Sequence, residues 1–277
     1  MSTSSTSCAR LGPTSFTRDN LPVTDAPEKA ATKRRSEKTP TFRFIAFLVL
    51  PIMHVLARYR LHGVENVPQS GAFVLSPNHY SEIDPLVMGV AMWKVNRMPR
   101  FLAKASIFKL PFLGMLMRKS GQVPVERAGA SRNSDPLAAA RLIVKNELAV
   151  VIYPEGSLTR DPGMWPMRGK TGAVRMALEA GIPIVPAAHW GTQLVMPRYS
   201  KKISFFPRKS IDILFGPPVD LSEFAGRPLN SETLNAATAR LMDAITALLE
   251  QLRDEKAPAE RWDPSKHNQK ETGRFEH

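Results

Sequence analysis

The sequence predicts an α/β fold: a mixed, largely parallel central sheet flanked by helices, with an N-terminal apolar, membrane-facing helix. Three observations predict it. Short apolar runs at Gly71–Leu75, Leu148–Tyr153 and Ile182–Ala188 read as buried strands. Between and after them, Ile83–Trp93, Thr171–Ala180 and Ser231–Leu252 have the apolar spacing of helices. The chain has 277 residues, 43% hydrophobic and 23% charged, which is enough for one sizeable core and one main domain.

In chain order, residues 1–40 are rich in Ser, Thr, Pro and Ala, carry Lys33-Arg34-Arg35 and lack apolar periodicity, so they read as a disordered basic tail. Residues 41–60 hold the apolar segment Phe42–Ala57, with Arg43 before it and Arg58 and Arg60 after. It falls short of the ~20 apolar residues a bilayer span needs, and Pro51 and His54 interrupt it. Its distance from Met1 and the want of a small-residue cleavage site argue against a signal peptide. Two placements remain: a helix packed on the domain, or one lying in a membrane interface with its basic flanks over anionic headgroups.

The α/β domain is expected over 61–256, opening with a connector, Leu61–Gln69, broken by Gly63 and Pro68. Residues 85–125 contain no Asp or Glu, yet basic residues from Lys94 to Lys119 are interleaved with Trp93, Phe101, Phe108 and Phe112. That mixture suits contact with phosphate and acyl chains. Ser134, Asp135 and Pro136 start a helix that runs to about Asn146. Gly181 stops the helix before it, Thr171–Ala180. Ile203–Phe206 and Ile211–Phe215 read as further short strands, and 257–277 as a flexible polar tail.

The net charge of +13 calls for an anionic partner: nucleic acid, anionic lipid or a phosphorylated substrate. The single cysteine, Cys8, excludes an internal disulfide framework and a cysteine-based zinc site.

The most informative stretch is Ser76-Pro-Asn-His-Tyr-Ser-Glu-Ile-Asp-Pro-Leu86, between a strand and a helix. If His79 lies in the turn and Asp84 in the first helical turn, the carboxylate can fold back to the imidazole. It would then fix the tautomer and leave the other ring nitrogen as a general base. The same residues also read as plain helix-start chemistry, with Ser81 as N-cap and Asp84 closing a capping box.

A second block, Gly121-Gln-Val-Pro-Val-Glu-Arg127, ends on an arginine whose planar fork suits phosphate oxygens, or which simply pairs with Glu126 or another acid. In a third, Tyr153-Pro-Glu-Gly-Ser-Leu-Thr-Arg160, Pro154 and Gly156 force a tight turn presenting Glu155 and the Gly156 and Ser157 amides at the sheet edge. Other patterns fail. Arg168-Gly-Lys-Thr171 lacks the earlier Gly of a phosphate-binding loop, since position 164 is Met164. No Gly-x-Ser-x-Gly elbow is present. His189, beside Trp190, reads as a packed or capping residue.

Together these blocks resemble the glycerolipid acyltransferase family that includes 1-acylglycerol-3-phosphate acyltransferase. Asn78, His79 and Asp84 match its Asn-His-x-x-x-x-Asp motif, Gly121–Arg127 its second, Pro154-Glu155-Gly156-Ser157 its third and Ile184-Val185-Pro186 its fourth. The run Ala103–Gly114 is also family-like. Tyr153 stands in place of the usual Phe, and Leu158 where many members carry a basic residue, the arginine coming only at Arg160.

The resemblance implies an acyltransferase that moves a fatty acyl group from acyl-CoA or acyl carrier protein to lysophosphatidic acid, with another lysophospholipid or glycolipid as alternative acceptor. His79, oriented by Asp84, would be the catalytic base, without an acyl-enzyme. Arg127 would hold the acceptor phosphate, Glu155 and Gly156 would shape the glycerol site, and Arg160 would be a second anion contact. A non-catalytic membrane-binding relative is the rival reading. No metal or cofactor is implied. The expected partners are the thioester donor, the lysophospholipid and an anionic membrane surface, not nucleic acid; the expected location is peripheral or monotopic on the cytoplasmic face of a membrane.

Overall fold

A computed structural model describes residues 37–125 and 136–270, all in one compact unit. The first element is a helix, α1 (Pro40–Leu56), entered through Thr39, whose Oγ1 accepts the Phe42 N–H at 3.4 Å, and containing Pro51. The chain then turns directly into an edge strand, β1 (Ala57–His62), which pairs in parallel with β7 (Lys209–Phe215), Ala57 opposite Lys209. Arg58 and Arg60 are thus strand residues, Arg60 bonding Asp212 across the ladder. The sheet begins four residues before the expected boundary at 61.

The remaining strands are β2 (Phe73–Pro77), β3 (Pro99–Lys104), β4 (Val123–Val125), β5 (Ala149–Val151) and β6 (Ile184–Trp190). The helices are α2 (Asp84–Lys94), α3 (Pro111–Lys119), α4 (Pro136–Lys145), α5 (Gly172–Ala180), the short α6 (Thr192–Val195) and α7 (Ser231–Arg253). The seven strands lie in the order β1-β7-β6-β2-β5-β3-β4, every neighbouring pair parallel except β6–β7. The mixed, largely parallel sheet is therefore present.

Successive strand side chains point to opposite faces. Phe73, Leu75, Val151 and Val185 pack with Met53 and Leu56 of α1 and Val87 and Met88 of α2. Val74, Val150 and Ile184 pack on the other side with Ile143, Val174, Leu234, Leu241 and Ile245 from α4, α5 and α7. A sheet apolar on both faces needs helices on both, which is why its central strands read as unbroken apolar runs.

Two expectations are corrected. Ile203–Phe206 is a loop rather than a strand, its apolar residues turned outward where no neighbouring ladder can take them. Residues 257–270 are not loose: the Trp262 carbonyl accepts the Arg168 N–H at 2.8 Å, and the Trp262 ring stacks on His267 at 3.6 Å. Residues 1–36 and 271–277, covering most of the expected basic tail and the chain end, lie outside the described residues. Among the described residues no helix is long and apolar enough to cross a membrane.

Candidate active site

The site forms at the carboxyl ends of three adjacent strands, β6, β2 and β5, where open α/β sheets bind ligands. β2 and β5 are parallel neighbours, so the turn after Pro77 and the turn after Val151 emerge side by side. That brings residues 78–84 against 153–160. β6, on the other side of β2, delivers His189.

His79 Nδ1 lies 2.9 Å from Asp84 Oδ2. The same oxygen accepts the Tyr80 and Ser81 N–H groups, each at 2.8 Å. Asp84 thus closes the helix start, as the capping reading expects, and also holds the imidazole. Ser81 Oγ is used elsewhere, donating to Met196 O at 2.7 Å. Asp84 is fully buried. Burial alone would raise its pKa, but the His189 charge, the His79 hydrogen bond and charge, and the Ser81 amide outweigh it and hold the carboxyl below its ordinary range. A carboxylate at Nδ1 keeps the ring proton there, leaving Nε2 as the acceptor.

Tyr153 stacks on the His79 ring at 4.1 Å between centroids. His79, Tyr153 and Gly156 line a cavity of about 740 Å³ whose other walls are mostly apolar: Phe42, Ile45 and Val49 of α1, Leu86 and Val90 of α2, Phe101 and Met117. The imidazole therefore faces a chamber shaped for hydrocarbon.

Glu155 does not open into that chamber. It is fully buried, Oε1 accepting the His79 N–H at 2.9 Å and Oε2 the Met167 N–H at 3.0 Å. Burial pushes its carboxyl up to about 8, with the two amides pulling the other way. The Gly156 N–H turns back to Tyr153 O at 3.0 Å, so it is not the outward anion donor the turn suggested. Gly156 itself is at φ +69, and a Cβ there would come 3.0 Å from the Lys170 side chain. Arg160 is buried, its guanidinium 5.4 Å from the Tyr199 ring, and it does not line the cavity that His79 faces. Leu158 is buried too. Arg127 lies outside the described residues. No group of three or more His, Cys, Asp or Glu that could hold a metal ion occurs among the described residues.

Two residues gain a role that sequence reasoning missed. The Asn78 side chain clamps the His189 backbone, donating to its carbonyl at 3.1 Å and accepting its N–H at 2.9 Å. His189 Nε2 reaches Asn78 O at 3.0 Å and stands 3.7 Å from Asp84 Oδ2. His189 is indeed packed, but beneath the Asp84 carboxylate. Only the adjacency of β6 and β2 reveals it, and no local sequence signal carries that.

Residues 58–190 match the family model described as Acyltransferase. A chloroplastic 1-acyl-sn-glycerol-3-phosphate acyltransferase of Brassica napus is 31% identical over 144 residues, 52% of this chain and 40% of that protein. The 1-acyl-sn-glycerol-3-phosphate acyltransferase of Bacillus subtilis is 27% identical over 209 residues, 75% of this chain and 96% of that protein. The chain thus spans well under half of the plant relative and nearly all of the bacterial one. The crystal structure of the 1-acyl-sn-glycerophosphate acyltransferase PlsC from Thermotoga maritima aligns with a TM-score of 0.57 at 20% identity, covering 82% of this chain and 86% of that one, a likeness of fold. The first and third motif blocks meet at one end of the sheet, the fourth lies in the neighbouring strand β6, and the family match runs across all of them: residues 58–190 are similar to the acyltransferase family.

Proposed function

We infer that the chain transfers a fatty acyl group from a thioester, acyl-CoA or acyl carrier protein, to the free hydroxyl of lysophosphatidic acid, forming phosphatidic acid. The observation that carries this reading is the His79–Asp84 pair, 2.9 Å apart, at the wall of an apolar cavity of about 740 Å³. Nε2 takes the hydroxyl proton as the acceptor oxygen bonds to the thioester carbonyl carbon. When the tetrahedral adduct collapses, the C–S bond breaks and the imidazolium returns the proton to the thiolate. Attack is direct, without an acyl-enzyme.

Arg127 is the proposed acceptor-phosphate anchor, with Arg160 as a second anion contact beside Arg198, whose guanidinium is 5.7 Å from the same Tyr199 ring. Glu155 and Gly156 shape the glycerol site, Glu155 by fixing the His79 backbone. Buried Leu158, where a basic residue would supply a further phosphate contact, favours testing a second reading: a lysophospholipid acceptor with another headgroup.

The proposed location is a membrane surface on its cytoplasmic face. While the inner side of α1 roofs the cavity, its outer side carries Phe44, Phe47, Leu48, Ile52 and Val55, all exposed at helical spacing, Phe47 to 77%. Exposed Leu110, Phe112 and Leu113 stand among basic residues around α3. The test is thiol release from palmitoyl-CoA and oleoyl-CoA with lysophosphatidic acid, with the product lipid identified. Formation of phosphatidic acid supports the reading. Transfer only to another lysolipid moves the acceptor, and no transfer to any overturns it.

A further inference from the structure

The loop between α6 and β7 is apolar at its tip and cationic at its flanks. Phe206 is 89% exposed and Phe205 58%, and Leu194 and Ile203 are also exposed. Lys201 and Lys202 are exposed beside them, and no Asp or Glu occurs between Glu179 and Asp212. Both ends of the tip are tied down: the Ser204 N–H donates to Val195 O at 2.8 Å, and the Arg208 guanidinium to Ala57 O at 3.1 Å. With its flanks held, the pair of phenylalanines between them stays in water at the cost of its hydration.

The second tie fixes where the tip stands. Ala57 is the C-cap of α1 and pairs with Lys209, so Phe205 and Phe206 leave the sheet beside the end of α1 that carries exposed Ile52 and Val55. Segments about 150 residues apart in sequence thus place bare aromatic and aliphatic side chains at one edge of the molecule, among Arg58, Lys201, Lys202 and Arg208. We propose that the tip Ile203–Phe206 is a second membrane-insertion element, entering the interface of an anionic bilayer next to α1 while Lys201, Lys202 and Arg208 meet lipid headgroups. A surface of one charge sign around apolar tips matches anionic lipid, where cations stay at the headgroups and aromatic rings settle at the boundary. This inference extends the membrane-contact part of the proposed function and rests on it for the orientation of α1.

The experiment uses the full chain with Cys8→Ser and one new cysteine, Phe206→Cys, labelled with a polarity-sensitive fluorophore and mixed with phosphatidylglycerol vesicles. A companion variant carries the label at Phe47→Cys on α1. The expected result is a blue shift at both positions, weaker with phosphatidylcholine, and at least about a tenfold loss of vesicle partitioning in Phe205→Ser/Phe206→Ser, the order expected when two rings leave an apolar phase. A shift at 47 without one at 206 overturns the inference and leaves the α1 reading standing. No shift at either overturns both. An equal shift with phosphatidylcholine overturns the anionic requirement, and a shift at 206 that rises with protein concentration before vesicles are added assigns the tip to a second copy. Acyl transfer to a short-chain, monomeric lysolipid is measured in parallel, so that loss of the reaction is read separately from loss of membrane contact.

Discussion

The Glu155 carboxylate accepts the backbone N–H of His79 at 2.9 Å, across 76 residues of sequence. The Thr159 N–H donates to the His79 carbonyl at 2.7 Å, so His79, the proposed general base, is gripped on both sides by the turn after β5. Replacing Glu155 by Ala strands the buried His79 and Met167 amides, each at about 1–3 kcal/mol. Glu155→Ala should therefore lose stability and kcat together, whereas Glu155→Gln, which keeps one acceptor, should retain more of both. Urea melts with kinetics check this, and a Glu155→Ala enzyme with wild-type kcat would refute the positioning role.

Glu155 also sets a pH dependence. Its folded pKa of about 8 lies above the 4.5 of an unperturbed glutamate, so the folded state holds this proton more tightly than the unfolded state. The stability from it is complete below about pH 4.5 and is lost as pH rises through about 8, by up to ~1.4 kcal/mol per pH unit. Wild type minus Glu155→Gln stability should fall between pH 5 and 8 and level off above; a flat difference would contradict burial as the dominant influence.

Asp84 Oδ2 receives the His79 imidazole and two amides, an arrangement only an acceptor can satisfy. His79→Ala should cost on the order of a hundredfold or more in kcat. In Asp84→Asn the amide oxygen can take the place of Oδ2 and keep all three bonds, but it brings no negative charge to steady the imidazolium, so the change should lower kcat strongly while the fold persists. Circular dichroism and acyl transfer separate the two effects; an Asp84→Asn enzyme at full rate would mean that His79 needs no carboxylate.

His189 lies 3.7 Å from Asp84 and is fully buried, which pulls its pKa down against the opposing Asp84 charge. His189→Leu leaves Asn78 O without its partner and should destabilise the chain by about 1–3 kcal/mol. Because Asn78 clamps the same residue, a cycle with Asn78→Ala should be non-additive by at least ~0.5 kcal/mol. Additive costs would show that the two act separately.

The sequence made the site legible because its parts lie beside turn residues that any strand-end turn needs: Pro77, Pro154 and Gly156 mark where β2 and β5 stop. The fold class was legible because β2, β5 and β6 are buried on both faces and read as apolar runs. Periodicity reports burial, so it failed where apolar residues stay exposed. Ile203–Phe206 looked like a strand for that reason, and the outer stripe of α1 could not be told from a core face. β3 was hidden by Arg100, whose buried guanidinium donates to Met98 O at 2.8 Å and lies 4.6 Å from the Phe42 ring. The place of His189 depends on strand order, which no local pattern encodes.

Gly89, on α2, lines the cavity, and a Cβ there would meet nothing within 4 Å. A side chain at this position enters the chamber without displacing core. Glycine costs a helix interior about 1 kcal/mol relative to alanine, so filling the position should not destabilise α2. Gly89→Ala should leave the chain as stable or more so, and Gly89→Leu should shorten the preferred acyl chain, because the added isobutyl group takes volume from the space His79 faces. Competition between decanoyl-CoA and palmitoyl-CoA reads the shift directly: the ratio of their kcat/KM values should move toward the shorter donor in Gly89→Leu. An unchanged ratio would mean that the acyl chain lies elsewhere and that the roof formed by α1 covers something other than the donor.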